Sequence, residues 1–274
     1  MNIFYADKSF EPSAANPFDN NLPYTDHWIM LKLLNTADFK QFTGGGMGGV
    51  FRLIITKENI DWPYRLHDFI QYESTYGKNI ILAVDKEDLE YAQQIYENHN
   101  YMDKFLRPHE PRMLMHTTSK ENYASIMQDG CLKSWNLLKN LGAGKEEKPI
   151  GHLLGDPSSY SDYIMFADGG VSAECIVLSK QKSTLEMNID TPYIAGARFY
   201  FDAQKIAEDG LLVRDGAHLK VKDRLPIDKY IIWIATPDVL NISENTTPRI
   251  FAEKADMTFA RNHRLPADAN TGFL

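Results

Sequence analysis

The run Asn79-Ile-Ile-Leu-Ala-Val-Asp85 constrains the fold more than any other stretch of this chain. A compact apolar run of this length reads as a buried strand. Helical spacing follows at once, with Leu89, Ala92, Ile95 and Tyr96 recurring between Lys86 and His99. A similar pair precedes it: a strand over Val50–Thr56, then a helix over Trp62–Thr75 that tolerates Pro63 in its first turn. Strand, helix, strand, helix predicts a small α/β layer unit over residues 24–100. The first 23 residues, rich in Asn, Pro and Asp, read as an irregular lead-in. Thr25–Thr36 reads as a short helix with Thr25 or Asp26 as its N-cap.

The cluster Gly44-Gly45-Gly46-Met47-Gly48-Gly49 invites comparison with a phosphate loop. Such a loop follows a strand, opens a helix and carries a Lys-Ser/Thr pair, whereas this cluster precedes a strand. A tight turn is one reading, and an anion site built from backbone amides is the other.

Two prolines in Arg107-Pro-His-Glu-Pro111 mark the expected domain boundary. Beyond them come a strand at Arg112–His116, a helix at Ser119–Gln128 and a turn at Asp129-Gly130. Strands are expected at Tyr163–Asp168, Cys175–Ser179, Ala197–Phe201, His218–Lys222 and Lys229–Ala235. The division is therefore 1–110 as an acidic α/β domain, 111–235 as an α+β domain, and 236–274 as a C-terminal tail packing on the core. Periodicity in that tail is confined to Ile250–Arg261.

Charge is unevenly placed. Residues 1–110 hold 10 Lys/Arg against 16 Asp/Glu, so −6 of the total −8 lies there, which argues against a broad basic footprint for nucleic acid. No stretch reaches the roughly 20 apolar residues of a membrane span, and the N-terminus does not read as a secretory signal. The two cysteines, Cys131 and Cys175, have no metal-ligand spacing. The expectation is a cytoplasmic protein with no membrane partner and no metal.

Strand, His116-Thr117-Thr118, then Ser119-x-x-Asn122-x-x-x-Ile126-x-x-x-Gly130-x-Leu132 resembles the opening of the ADP-ribosyltransferase superfamily. Tyr163-Ile-Met-Phe-Ala-Asp168 with Ser172-Ala173 resembles a segment of poly(ADP-ribose) polymerases, Met165 standing where that family has a tyrosine. Phe199-Tyr-Phe-Asp202, Lys205–Gly210, Leu211–Arg214, His218-Leu-Lys-Val, Leu225-Pro226 and Tyr230 resemble the C-terminal half of the RNA 2'-phosphotransferase family. The resemblance covers under half of the 274 residues.

It implies an α+β fold with a split mixed sheet that holds NAD as co-substrate, and cleavage of the bond between nicotinamide and ribose. By the resemblance, the backbone of Thr117 grips the nicotinamide carboxamide, with Thr118 beside it, and His116 hydrogen-bonds the adenosine ribose. Tyr163, on the same strand face as Met165, becomes the stacking aromatic, and Ser172 joins the cofactor-binding set. Arg198 and Arg214 become ligands for phosphate or pyrophosphate, suited by their forked guanidinium. His218 becomes a general acid/base or hydrogen-bond donor. The plain alternative for Arg214 is a surface ion pair with Asp209 or Asp215. The late glutamate of the superfamily finds no counterpart, since Glu174 comes too early in the order. The implied activity is an NAD-dependent ADP-ribosyl or RNA 2'-phosphate transfer whose acceptor is nucleic acid or protein. The alternatives are a non-catalytic NAD- or ADP-ribose-binding module and a structural or partner-binding protein.

Overall fold

The computed structural model describes residues 2–38, 41, 43–45, 48–99, 104–143 and 149–263. They form a mixed α/β chain with several sheets, in two compact units. One comprises Met1–Tyr101, Gly151–Tyr160 and Arg214–His218; the other comprises Met102–Ile150, Ser161–Val213 and Leu219–Leu274. The first unit thus takes two segments from beyond the boundary expected at residue 110, and Arg214 and His218 go with it. Among the described residues, no helix is long and apolar enough to cross a membrane. Gly46 and Met47 of the glycine cluster lie outside the described residues.

The first unit contains β1 (Asn2–Ala6), β2 (Trp28–Leu34), β3 (Gly44–Gly45), β4 (Phe51–Thr56), α1 (Trp62–Thr75), β5 (Asn79–Ala83) and α2 (Lys86–Glu97). The sheet order is β1-β5-β2-β4-β3, parallel except for the antiparallel edge strand β3. Residues 28–34 therefore form a central strand rather than the expected helix. Trp28, Met30 and Lys32 are buried on one face and Ile29, Leu31 and Leu33 on the other. A strand covered on both sides buries every residue of such a run and shows no alternation. Residues 2–6 pair in parallel with β5, so the lead-in is not irregular throughout; the polar residues after it hid a five-residue edge strand. Helix α1 packs on β2 and β4. The opposite face carries Trp28, Met30, Val50, Ile81 and Ala83, against which Phe10, Phe18 and Tyr24 of the non-helical segment 7–24 pack.

The second unit begins with β6 (Met113–Thr118), α3 (Lys120–Asp129), β7 (Cys131–Lys133), α4 (Trp135–Asn140) and β8 (Tyr163–Met165). Next come α5 (Ser172–Lys182), β9 (Tyr193–Ile194), β10 (Ala197–Asp202), α6 (Ala203–Glu208), β11 (Leu212–Arg214, its last residue grouped with the first unit) and β12 (Leu219–Lys222). It closes with β13 (Arg224–Pro226), α7 (Ile227–Tyr230), β14 (Ile231–Ala235), α8 (Pro237–Leu240), β15 (Asn245–Thr246) and α9 (Pro248–Asn262). The central sheet is β14-β10-β6, all antiparallel, and a second sheet runs β11-β12-β8. Leu114, Phe199 and Phe201 face one core with Ile206, Val221 and Tyr230. Met113, Met115 and Tyr200 face the other, which α5 and α9 fill with Val177, Leu178, Phe251, Ala255 and Phe259.

Two expected strands differ. Cys175–Ser179 lies inside α5, because a short apolar run has no period of its own and Glu174, Cys175, Val177 and Leu178 bury a helical stripe. Lys229 and Tyr230 end α7, and the strand starts at Ile231. Within the expected tail, α9, capped by the Thr247 hydroxyl on the Ile250 N–H, buries Phe251, Ala252, Ala255 and Phe259.

Candidate functional site

In an antiparallel ladder, successive residues direct their backbone groups to opposite neighbours. Met115 exchanges both bonds with Ala167, its N–H at 2.8 Å and its C=O at 2.9 Å. That single bridge is where β6 meets the strand leading from β8. Thr117, two residues on, directs its N–H and C=O to the same side. There the neighbouring strand has parted from β6, and neither group finds a backbone partner among the described residues. One donor and one acceptor are thus presented side by side at an open edge, while β10 holds the other side in register from Thr118–Ala197 to Met113–Asp202.

His116 fills the start of this split. Its Nδ1 lies 3.1 Å from the Met165 carbonyl, which can only accept, so Nδ1 carries the proton and Nε2 is left as the acceptor. Burial lowers the imidazole pKa to about 4, outweighing the Met165 carbonyl, which favours the protonated form. The ring also meets Phe166 edge-on at 6.2 Å. Thr118 is buried, and Ser119 caps α3 by accepting the Asn122 N–H. The corner is braced from outside by Gly196: a Cβ there would stand 2.1 Å from the Thr118 carbonyl oxygen.

The side chain of Thr117 turns the other way, toward α5. Its hydroxyl donates to Glu174 at 2.8 Å. Glu174 is fully buried and also accepts from the Tyr193 hydroxyl at 2.8 Å and from Arg198 Nη1 at 3.0 Å. Arg198, equally buried, donates further to the Gly170 carbonyl at 2.9 Å and to both oxygens of Asp256 on α9. The Tyr200 hydroxyl donates to Asp256 at 2.7 Å. Burial alone would lower the Arg198 pKa, but the charges of Glu174 and Asp256 outweigh it and hold the guanidinium above its usual range.

Strand alternation thus puts Arg198 on the α5–α9 face, committed to two carboxylates and a carbonyl. It holds the site together from within rather than presenting a fork to a pyrophosphate. Tyr163 is buried on β8, with the fully buried Lys220 ammonium 4.6 Å from its ring centre, so one face of that ring is taken. Ser172 is exposed in the first turn of α5. Arg214 and His218 belong to the first unit. There Asp215 accepts the N–H groups of Ala217 and His218 at 2.8 and 2.6 Å, and His218 meets Tyr160 edge-on at 5.6 Å. The structure therefore gathers His116, Thr117, Thr118 and Arg198 around β6, with Tyr163 one strand away. Arg214 ends β11, in the same sheet β11-β12-β8 as Tyr163.

Glu174, Tyr193, Asp256 and Gly196 were not expected at the site. Glu174 precedes the misread strand 175–179, and reading that segment as a helix would have turned it inward. Gly196 had a signal in Ala195-Gly-Ala197, small residues just before a strand. Asp256 had none. Among the described residues, no His, Cys, Asp and Glu cluster could hold a metal ion. No protein-family model, curated protein or solved structure matches the chain.

Two outcomes follow from this geometry. Arg198→Met leaves two carboxylates facing a buried apolar side chain, and should lower the unfolding free energy in urea by about 3–5 kcal/mol. His116 is neutral when folded, with a pKa of about 4 against 6.5 for the ordinary imidazole. Its unfolded form therefore takes up a proton first as pH falls. Its contribution is complete above pH 6.5 and is lost progressively toward about pH 4. Unfolding free energies of the wild type and His116→Asn, compared across that range, should converge as pH falls.

Proposed function

We propose that the second unit binds NAD at the corner where β6 ends and breaks the bond between nicotinamide and ribose. The observation that carries this reading is the paired N–H and C=O of Thr117 at an unpaired strand edge, beside an imidazole of fixed tautomer. A carboxamide is planar and has one donor face and one acceptor face, so a rigid backbone pair complements it without reorganising. His116 Nε2, an acceptor, suits a ribose hydroxyl. The finer fold reading, a split sheet of the ADP-ribosyltransferase type, rests on two sheets that meet through the Met115–Ala167 bridge.

In the reaction, the glycosidic carbon–nitrogen bond breaks and its electron pair neutralises the pyridinium ring, so nicotinamide leaves uncharged. An acceptor oxygen forms the new bond to the anomeric carbon and gives up its proton; water is the simplest acceptor, and protein or nucleic acid the biological one. Of the two branches of the resemblance, ADP-ribosyl transfer is favoured over 2'-phosphate transfer. The latter calls on arginines for its phosphate, and Arg198 is spent on Glu174 and Asp256. That same commitment favours a second reading, a module that binds NAD or ADP-ribose without chemistry.

The test combines nicotinamide release, followed chromatographically, with thermal unfolding of the full chain in NAD. NAD at 100 times its dissociation constant should stabilise the wild type by about 2.7 kcal/mol, with time-dependent release of nicotinamide. His116→Ala should weaken NAD binding up to about tenfold, the worth of one hydrogen bond. Stabilisation without nicotinamide release selects the binding module. No stabilisation by NAD or ADP-ribose removes both readings.

A further inference from the structure

The first unit buries two cations on one face of its sheet. Lys32 on β2 and Arg52 on β4 have side chains 3% and 6% exposed. Arg52 lies in register with Met30, so Lys32, two residues further along β2, is its diagonal neighbour on the same face. Both bind one carboxylate, that of Glu11, which is 33% exposed. Glu11 belongs to the segment between β1 and β2 that lies over this face without helix or strand.

Among the described residues, Glu11 is the one carboxylate in contact with both cations, and the exposed Asp7 reaches Lys32 only through its charge; two buried cations on a single bonded carboxylate are a costly arrangement. The hydrogen bonding is also incomplete. Arg52 Nε is buried and has no hydrogen-bond partner among the described residues. Glycines frame the same spot: Gly44 pairs with Arg52 across the β3–β4 ladder. Gly48, at φ +67°, leaves room for the Ser13 carbonyl, which would stand 2.3 Å from a Cβ at that position. Ser13 is two residues past Glu11, so the glycine stretch and the covering segment meet beside the cations.

We infer that Lys32 and Arg52 form a binding site for a phosphate-type dianion, and that Glu11 is its internal occupant. A phosphate group carries close to two negative charges at neutral pH and presents three strong acceptor oxygens. It would match both cations in charge and supply an acceptor for Arg52 Nε, which the Glu11 carboxylate leaves unpaired. Ligand entry then means displacement of Glu11, the most exposed member of the triad. This site belongs wholly to the first unit and does not depend on the NAD reading.

The test uses the full chain with Glu11→Gln, which removes the competing charge, and the milder Glu11→Asp, which is too short to bridge both cations. Inorganic phosphate and a phosphomonoester, glycerol 3-phosphate, are compared with chloride at equal ionic strength by thermal unfolding and titration calorimetry. Phosphate should bind Glu11→Gln at least tenfold more tightly than wild type and raise its midpoint by several degrees more than chloride does. The preferred arm tells a free anion from a phosphate ester. If Glu11→Gln does not fold in chloride, phosphate should restore it. The double variant Lys32→Met/Glu11→Gln should lose the response. Equal effects of phosphate and chloride on both single variants, or an undiminished response in the double variant, would overturn the assignment.

Discussion

One guanidinium holds the second unit together. Arg198 extends from the middle strand of a three-stranded sheet into the layer formed by α5 and α9, where it meets Glu174 and Asp256. Breaking such a buried ion pair is costly because a charge is stranded in a place with no water to receive it. The pairing therefore fixes where α5 begins, where α9 crosses and how the Gly170 loop lies between them. Through Glu174 the same network reaches the hydroxyl of Thr117 and sets the rotation of the residue whose backbone stands at the open edge. A side chain that faces one core thus positions a backbone that faces another.

That division explains why Thr117 can serve a site although its side chain is spent. The side chain anchors inward, and the N–H and C=O remain at the strand margin. His116 does the reverse, with its backbone paired to β10 and its ring turned toward Met165. Two consecutive residues of one strand, pointing opposite ways, supply the rigid elements of the corner. Gly196 lets the chain entering β10 pass close enough to hold that corner in place.

The apolar runs that became β4, β5, β6 and β10 were legible because burial and period agree there, and α1 and α2 because their stripes are long. Residues 28–34 misled because a strand buried on both faces has no alternation, and a buried lysine in mid-run looks like a helix's polar face. Cys175–Ser179 misled in the opposite direction. The corner at His116, Thr117 and Thr118 was legible as a strand that stops on polar residues before a capped helix. Arg198 was legible as special but not in its role: the sequence shows an arginine in an apolar strand, while its partners lie 24 and 58 positions away. Which carboxylates reach it depends on how α5 and α9 pack, and no local pattern contains that. Glu11 is hidden likewise, since the cations that it bonds lie on two later strands.

The central claim is that the edge of β6 at Thr117 receives a nicotinamide carboxamide. A crystal structure of the full chain with NAD addresses it most directly. The account predicts the carboxamide between the Thr117 N–H and C=O, each at about 2.7–3.2 Å, with His116 Nε2 on a ribose hydroxyl and Arg198 still bound to Glu174 and Asp256. NAD found elsewhere on the chain, with the Thr117 edge unengaged, would contradict it.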